Sequence, residues 1–363
     1  MKLWRRLALG LSSWIVLSMG ASADTVSKIS MKDLQRHGIY PRTFSIFHVA
    51  DDGRTILGAE EPPFTDKAKG NLSRLWLIKL APDLTIESAR GFGMNVPSLE
   101  QANFTPDRKS VILSSKRGSD IHLLDLESGK LNVLMTHQEG VPGFRIHSNI
   151  FSLYAGKLYT IGYFYDAEDY SGDDEMVEID VSKVGQPAFT SVLKIHDIQK
   201  QLKNIKISST LHPAGLLYYT QDEGGGWSVH QWNVAGGLQK IDQGQVVLGS
   251  WGEGASGVYS IKRNNGNCEV ILRNAQTGSQ TIVYNGKDSL VNPCLAKDAN
   301  TLVIAKPGTG NDVEYWVGQD TNQFQLRKVA EKLPASTLRV SHDGSVVCIY
   351  NGLTGMTLIK LDQ

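Results

Sequence analysis

The sequence predicts an all-β fold, a β-propeller of seven four-stranded blades. Three observations carry this expectation. A turn-and-strand unit recurs along the whole chain. Its turns fall roughly 40 to 60 residues apart, the length of one blade. The last unit stops one strand short, and a spare strand-like stretch stands near the start.

The clearest unit begins Asn103-Phe104-Thr105-Pro106-Asp107. Proline fixes φ and aspartate bonds to the backbone beyond it, so Pro106-Asp107 predicts a tight turn. Val111-Ile112-Leu113 is a short buried strand and Ile121 to Leu126 the next. Glu127-Ser128-Gly129-Lys130 then turns the chain into a fourth, Leu131 to Met135. The same layout returns at Asp51-Asp52-Gly53, at His212-Pro213-Ala214-Gly215, at Lys297-Asp298-Ala299-Asn300 and at Ser341-His342-Asp343-Gly344. Weaker copies surround Ala155-Gly156 and Ala255 to Ile261. A β-sandwich with similar turns is the bland alternative, and the ordered recurrence over the whole chain argues against it.

The last unit ends at Gln363 after its third strand. Thr25 to Ser30 has the composition to supply the fourth. A ring closed by that N-terminal strand leaves no sheet edge bare. The alternative is a loose N-terminal tail.

The first residues predict export. Lys2, Arg5 and Arg6 precede an apolar run from Leu7 to Gly20, and Ala21-Ser22-Ala23 offers small residues for a signal peptidase. Residues 1–23 read as a signal peptide and 24–363 as one propeller domain beginning at Asp24. A membrane anchor is the alternative, but the run is short of the roughly 20 apolar residues a bilayer core requires. No later stretch has spanning length. The expected location is periplasmic or secreted.

Lys+Arg 37 equals Asp+Glu 37. Duplex binders carry a basic excess to replace phosphate counterions, so nucleic acid is not an expected partner. Of the three cysteines, Cys348 lies in an apolar run and reads as core. Cys268 and Cys294 are a pairing that an oxidising compartment permits. No CxxC spacing points to zinc.

Residues 103–130 resemble the WD40-like repeat of TolB-type propellers, with Phe104-Thr105-Pro106-Asp107 standing where that repeat has Phe-Ser-Pro-Asp. Ser341 to Gly344 and Asp51 to Gly53 match in part. The resemblance implies a periplasmic propeller used for protein contacts. TolB itself carries an α/β domain ahead of its propeller, and this chain turns to repeats almost directly after residue 23. No partner-binding residue carries over by motif.

Function is expected in loops, above all those joining second to third strands. Two are long, Ala59 to Arg74 and Asp166 to Glu175. The second is acidic: Asp166, Glu168, Asp169 and Asp173 offer the hard oxygen ligands calcium prefers, though not at EF-hand spacing. The alternative is a solvated acidic loop. No other cofactor is indicated. Lys116-Arg117 and Lys262-Arg263 put basic residues in equivalent loops. His147 stands at the start of a unit, near the expected channel. Trp227, after Asp222-Glu223-Gly224-Gly225-Gly226, and Trp251 sit among glycines that leave a face open for a sugar or peptide. The binding candidates are therefore Lys116, Arg117, His147, Asp169, Asp173, Trp227, Trp251 and Arg263. No HExxH and no Gly-x-Ser-x-Gly elbow occurs, and no catalytic residue is singled out. The expected function is an exported module binding an envelope protein or a small polar ligand. The alternative is a propeller hydrolase or lyase acting on a carbohydrate, lactone or peptide.

Overall fold

The structure is a computed structural model. It describes residues 24–363 apart from 51, 61–71, 98, 106, 116–119, 136–142, 155–156, 166–173, 181–188, 196, 199–206, 213–214, 222–226, 234–236, 245, 248–256, 265–266, 275–279, 288–291, 297–299, 311, 335 and 363.

The chain opens with β1 (Thr25–Ile29) and a short helix, α1 (Met31–Arg36). Ser30 caps that helix: its hydroxyl accepts from the Asp33 amide and its own amide donates to the Asp33 carboxylate. Four-stranded antiparallel sheets follow. The first holds β2 (Phe44–Val49), β3 (Thr55–Glu60), β4 (Leu72–Leu80) and β5 (Ile86–Pro97). The second holds β6 (Leu99–Phe104), β7 (Ser110–Ser115), β8 (Ile121–Asp125) and β9 (Leu131–Met135). The third holds β10 (Gly143–Tyr154), β11 (Lys157–Tyr165), β12 (Asp174–Ile179) and β13 (Phe189–Lys194). The fourth holds β14 (Ile207–His212), β15 (Gly215–Gln221), β16 (Trp227–Asn233) and β17 (Gly237–Gly244). The fifth holds β18 (Val246–Val247), β19 (Gly257–Asn264), β20 (Asn267–Asn274) and β21 (Gln280–Gly286). The sixth holds β22 (Asn292–Leu295), β23 (Thr301–Pro307), β24 (Asp312–Gln319) and β25 (Arg327–Pro334). The last holds β26 (Thr337–Val340), β27 (Val346–Asn351) and β28 (Gly355–Lys360), with β1 as its outer strand. Thr25 pairs with Lys360 and Ile29 with Met356.

Turn chemistry explains the hairpins. The Asp107 carboxylate accepts from the Thr105 hydroxyl at 2.7 Å and the Lys109 amide at 3.1 Å. The Asp343 carboxylate does the same for the Ser341 hydroxyl at 2.7 Å and the Ser345 amide at 2.9 Å. Asp52 accepts from the Arg54 amide at 2.9 Å. Each aspartate replaces backbone partners that a tight turn cannot supply. The residue after it takes positive φ in all three: Gly53 at 63°, Arg108 at 57° and Gly344 at 72°.

The sheets bury apolar side chains against their neighbours. Leu57 and Leu75 of the first sheet pack on Val111 and Leu113 of the second. Ile112 and Ile121 meet Leu158 and Val177 of the third. Ile161 and Met176 meet Trp232 and Leu238 of the fourth. Strands β16 and β18 join the fourth and fifth. Cys268 and Val270 meet Leu302 and Ile304 of the sixth. Val303 and Val317 meet Val347 and Ile359 of the last. Cys348 and Met356 of that sheet meet Ile46 and Ile78 of the first. First strands of neighbouring sheets lie side by side at several joins: β2 meets β26 and β6, β10 meets β6 and β14, and β22 meets β26.

All three cysteines are free thiols. The Cys268–Cys294 pairing is not made. Cys268 packs on the side of the sixth sheet that faces the fifth, whereas Cys294 packs toward the last sheet, so β-structure separates them. Cys348 is core, and burial pushes its thiol up to about 12.

Candidate functional site

In an antiparallel sheet the second-to-third connection leaves at the end opposite the first-to-second turn, as it does after Glu60 in the first sheet. The segment between β1 and β2 lies at the same end. The Tyr40 amide donates to the Glu60 carboxylate at 3.4 Å, and the Tyr350 hydroxyl donates to the Pro41 carbonyl. Gly352, in the β27–β28 turn, lies so close that a Cβ there would stand 3.3 Å from the Pro41 carbonyl oxygen. The chain neighbours of these two residues are exposed, Tyr40 at 59% and Leu353 at 75%. Arg42, also exposed, follows Pro41.

Two tryptophans near this end sit in matching constellations. In the first sheet Trp76 pairs across from Gly58, and Glu60 from Arg74. In the sixth Trp316 pairs across from Ile304, and Lys306 from Glu314. The Trp76 indole N–H donates to Glu60 at 2.8 Å while the Arg74 guanidinium lies 5.6 Å from the ring centre. The Trp316 indole donates to Glu314 at 3.0 Å while the Lys306 ammonium lies 4.4 Å from the ring. Acid and base have exchanged strands, yet each indole keeps one carboxylate at its edge and one cation on its face. Both are favourable for an aromatic quadrupole, the cation contributing about 0.5–1 kcal/mol at such exposure.

Strand β26 carries Arg339. Its Nε donates to the Phe47 carbonyl of β2 at 3.1 Å and its Nη1 to the Leu338 carbonyl at 2.8 Å. The neighbouring His48 ring stands edge-on to Phe104 at 5.6 Å. His122 of β8 is buried, with no hydrogen bond to Nδ1. Burial holds its imidazole below the usual range, and the nearby Asp120 charge offsets this only in part. Glu175 of β12 is also buried, its Oε2 without a partner and its Oε1 4.0 Å from Lys194.

Among the residues named from sequence, Lys116, Arg117, Asp166, Glu168, Asp169, Asp173 and Trp251 lie outside the described residues. The connection expected over Ala59 to Arg74 is shorter, since β3 runs to Glu60 and β4 starts at Leu72. Likewise Asp174 and Glu175 belong to β12. Lys262 and Arg263 are not in a loop: they are inside β19, with Arg263 paired to Cys268 in a hairpin whose strands reach Asn264 and Asn267. Trp227 opens β16, opposite Gln221. His147 is on β10, an inner strand, where the register with β11 shifts between Ile146 and Phe151. Among the described residues no three potential ligands gather into a metal site.

Sequence reasoning missed Glu60, Arg339 and the charge-exchanged tryptophans. The Trp76/Trp316 match was detectable by aligning the units on Thr55 and Thr301, which puts Glu60 over Lys306, and again on Trp76 and Trp316 across loops of unequal length, which puts Arg74 over Glu314. Arg339 gave no signal, because its bond to Phe47 spans 292 residues of sequence.

No protein-family model matches the chain, and no curated protein matches it in sequence. Solved structures do resemble it in fold. An oligogalacturonate lyase in complex with manganese matches at TM-score 0.58 and 10% identity, over 94% of this chain and 91% of that one. The uncharacterised protein lmo1340 from Listeria monocytogenes EGD-e matches at 0.52 and 10%, over 87% and 91%. TolB from Acinetobacter baumannii is a looser match, at 0.42 and 17%, over 78% and 65%. Identities this low speak to fold alone. With the four-stranded antiparallel sheets, the first two matches give this chain a propeller-like fold.

Proposed function

We propose that the chain is a seven-bladed propeller closed by β1, exported, and used in the cell envelope as a binding module for another protein. Pairing of β1 with β28 and the apolar contacts from each sheet to the next support the closed ring. The observation that carries the binding reading is the exposure of Tyr40 and Leu353, the chain neighbours of Pro41 and Gly352, whose backbones lie close together. Exposed aromatic and aliphatic groups beside arginine are the composition of a protein-binding patch. The test is chemical crosslinking of the exported protein in whole cells. The Tyr40→Ser, Leu353→Ser double variant should melt like the wild type and lose its crosslinked partner. A variant that keeps every crosslink contradicts the reading.

A second reading, a hydrolase or lyase, is favoured by the buried His122 and Glu175, ionisable groups that each have a buried side-chain atom without a hydrogen-bond partner. Turnover of an oligosaccharide, lactone or peptide that His122→Gln abolishes without unfolding the protein supports it instead.

A further inference from the structure

We propose that the β1–β2 segment and the β27–β28 turn form a docking face for an acidic segment of a protein partner, one that carries carboxylates beside apolar side chains. This rests on the binding reading above and names the partner's chemistry.

The segment between β1 and β2 is held in place from within. Leu34 and Ile39 are fully buried, in a cluster with Trp76, Tyr350 and Met356. The Ile39 amide donates to the Leu34 carbonyl at 3.1 Å and the Gly38 amide to the Gln35 carbonyl at 2.9 Å. Both ends of the segment meet the β27–β28 turn. A Cβ on Gly355 would stand 3.1 Å from the Met31 amide nitrogen, and one on Gly352 would stand 3.7 Å from the Arg42 Cα. Leu353 and Thr354, both exposed, lie between those glycines in the chain. Side chains displayed on a fixed backbone lose little freedom when a partner binds.

The face is basic in a chain that balances 37 basic against 37 acidic residues. Lys28, Lys32, Arg36 and Arg42 are exposed. Asp33 is the acidic residue of the stretch 28–43, and its charge is spent locally. Its carboxylate accepts from the Ser30 amide at 3.0 Å, the Ser30 hydroxyl at 2.6 Å and Arg36 at 3.0 Å. Glu60, the carboxylate that reaches the segment from β3, is buried and accepts from the Trp76 indole and the Tyr40 amide. Among the described residues Lys28, Lys32 and Arg42 form no ion pair. Unneutralised cations on the segment that displays Tyr40, and that packs on the turn holding Leu353, complement a partner segment of acidic and apolar residues. Membrane attachment grows with buried apolar area, and one tyrosine with one leucine supplies little.

The test is fluorescence anisotropy of a labelled glutamate–tyrosine copolymer titrated with the 24–363 protein. A lysine–tyrosine copolymer and phosphatidylglycerol vesicles are titrated beside it. The acidic copolymer should bind at low salt and weaken about tenfold or more at about 0.5 M salt, while the lysine copolymer should not bind. The Lys32→Gln, Arg42→Gln double variant should melt like the wild type and lose affinity about tenfold or more. No binding of the acidic copolymer, equal binding of the basic one, or wild-type affinity in the double variant overturns the proposal. Binding to the vesicles without binding to the copolymer also overturns it, in favour of a lipid surface. Should the double variant fail to fold, the single variants decide, and unchanged affinity in both overturns the proposal. Whole-cell crosslinking separates this proposal from the reading it rests on. A crosslink lost in Tyr40→Ser, Leu353→Ser but kept in Lys32→Gln, Arg42→Gln leaves the binding module and removes its acidic partner. A crosslink kept in both double variants removes both ideas.

Discussion

The Asp24 carboxylate takes both terminal nitrogens of Arg327, 303 residues further along the chain. The second bond is 2.8 Å, and the Asp362 amide adds a third contact at 3.2 Å. One side chain thus ties the start of β1 to the end of the chain and to β25 of the neighbouring sheet. It belongs to the residue at which the proposed mature protein begins. Asp24→Asn should cost about 1–2 kcal/mol at neutral pH, a charge-assisted pair discounted for partial exposure. Thermal melts measure it.

Acid should act on the same pair. Burial alone would raise the Asp24 pKa, but the Arg327 hydrogen bond, the Asp362 amide and the Arg327 charge together hold it below the ordinary value. A carboxylate depressed in the folded state contributes stability above its unfolded pKa of about 3.9 and loses it as pH falls through the folded value. Denaturant midpoints measured downward from pH 5 should drop more steeply in the wild type than in Asp24→Asn. Parallel curves would refute the assignment.

His122 gives a second, separate window. Burial lowers its pKa, so the unfolded chain binds the proton first. Stability should therefore fall as pH drops below about 6.5, until the folded imidazole also protonates. His122→Gln should flatten this part of the curve while leaving the Asp24 limb in place.

Turn positions should separate cleanly. Asp107→Ala loses the Thr105 and Lys109 bonds and should cost about 1–2 kcal/mol, with binding at the opposite end unchanged. Gly344→Ala should cost more, about 2–4 kcal/mol. Its φ is +72°, and a Cβ would fall 2.2 Å from Thr301 Oγ1 and 2.4 Å from Asn300 Oδ1 in the adjoining sheet. Arg108→Gly, at the same turn position with φ +57°, should be neutral or stabilising by up to about 1 kcal/mol. Urea midpoints of the three variants rank them.

The fold was legible because its signals are local. Pro106-Asp107, Asp52-Gly53 and Asp343-Gly344 each mark a hairpin through bonds made within five residues. The incomplete last unit pointed to Thr25–Ile29, which the β1–β28 register matches residue for residue. The site was less legible because its contacts are not local. Glu60 reads as one more charge in a loop, yet it is a buried acceptor for Trp76 and the Tyr40 amide. Lys262 and Arg263 look like loop residues because charges interrupt an apolar run, but the β19–β20 hairpin pairs them with Glu269 and Cys268. Tyr40 and Leu353 are far apart in sequence, and only the fold brings their neighbours Pro41 and Gly352 close.

Closure by the N-terminal strand is the central claim, and hydrogen exchange at single-residue resolution on the 24–363 protein tests it most directly. The amides of Thr25–Ile29 that bond to β28 should be protected to the same degree as those of β28 itself, and Asp24→Asn should lower both together. Exchange of β1 at the rate of free chain, with β28 still protected, would show a tail lying on a sheet edge and would contradict the closed ring.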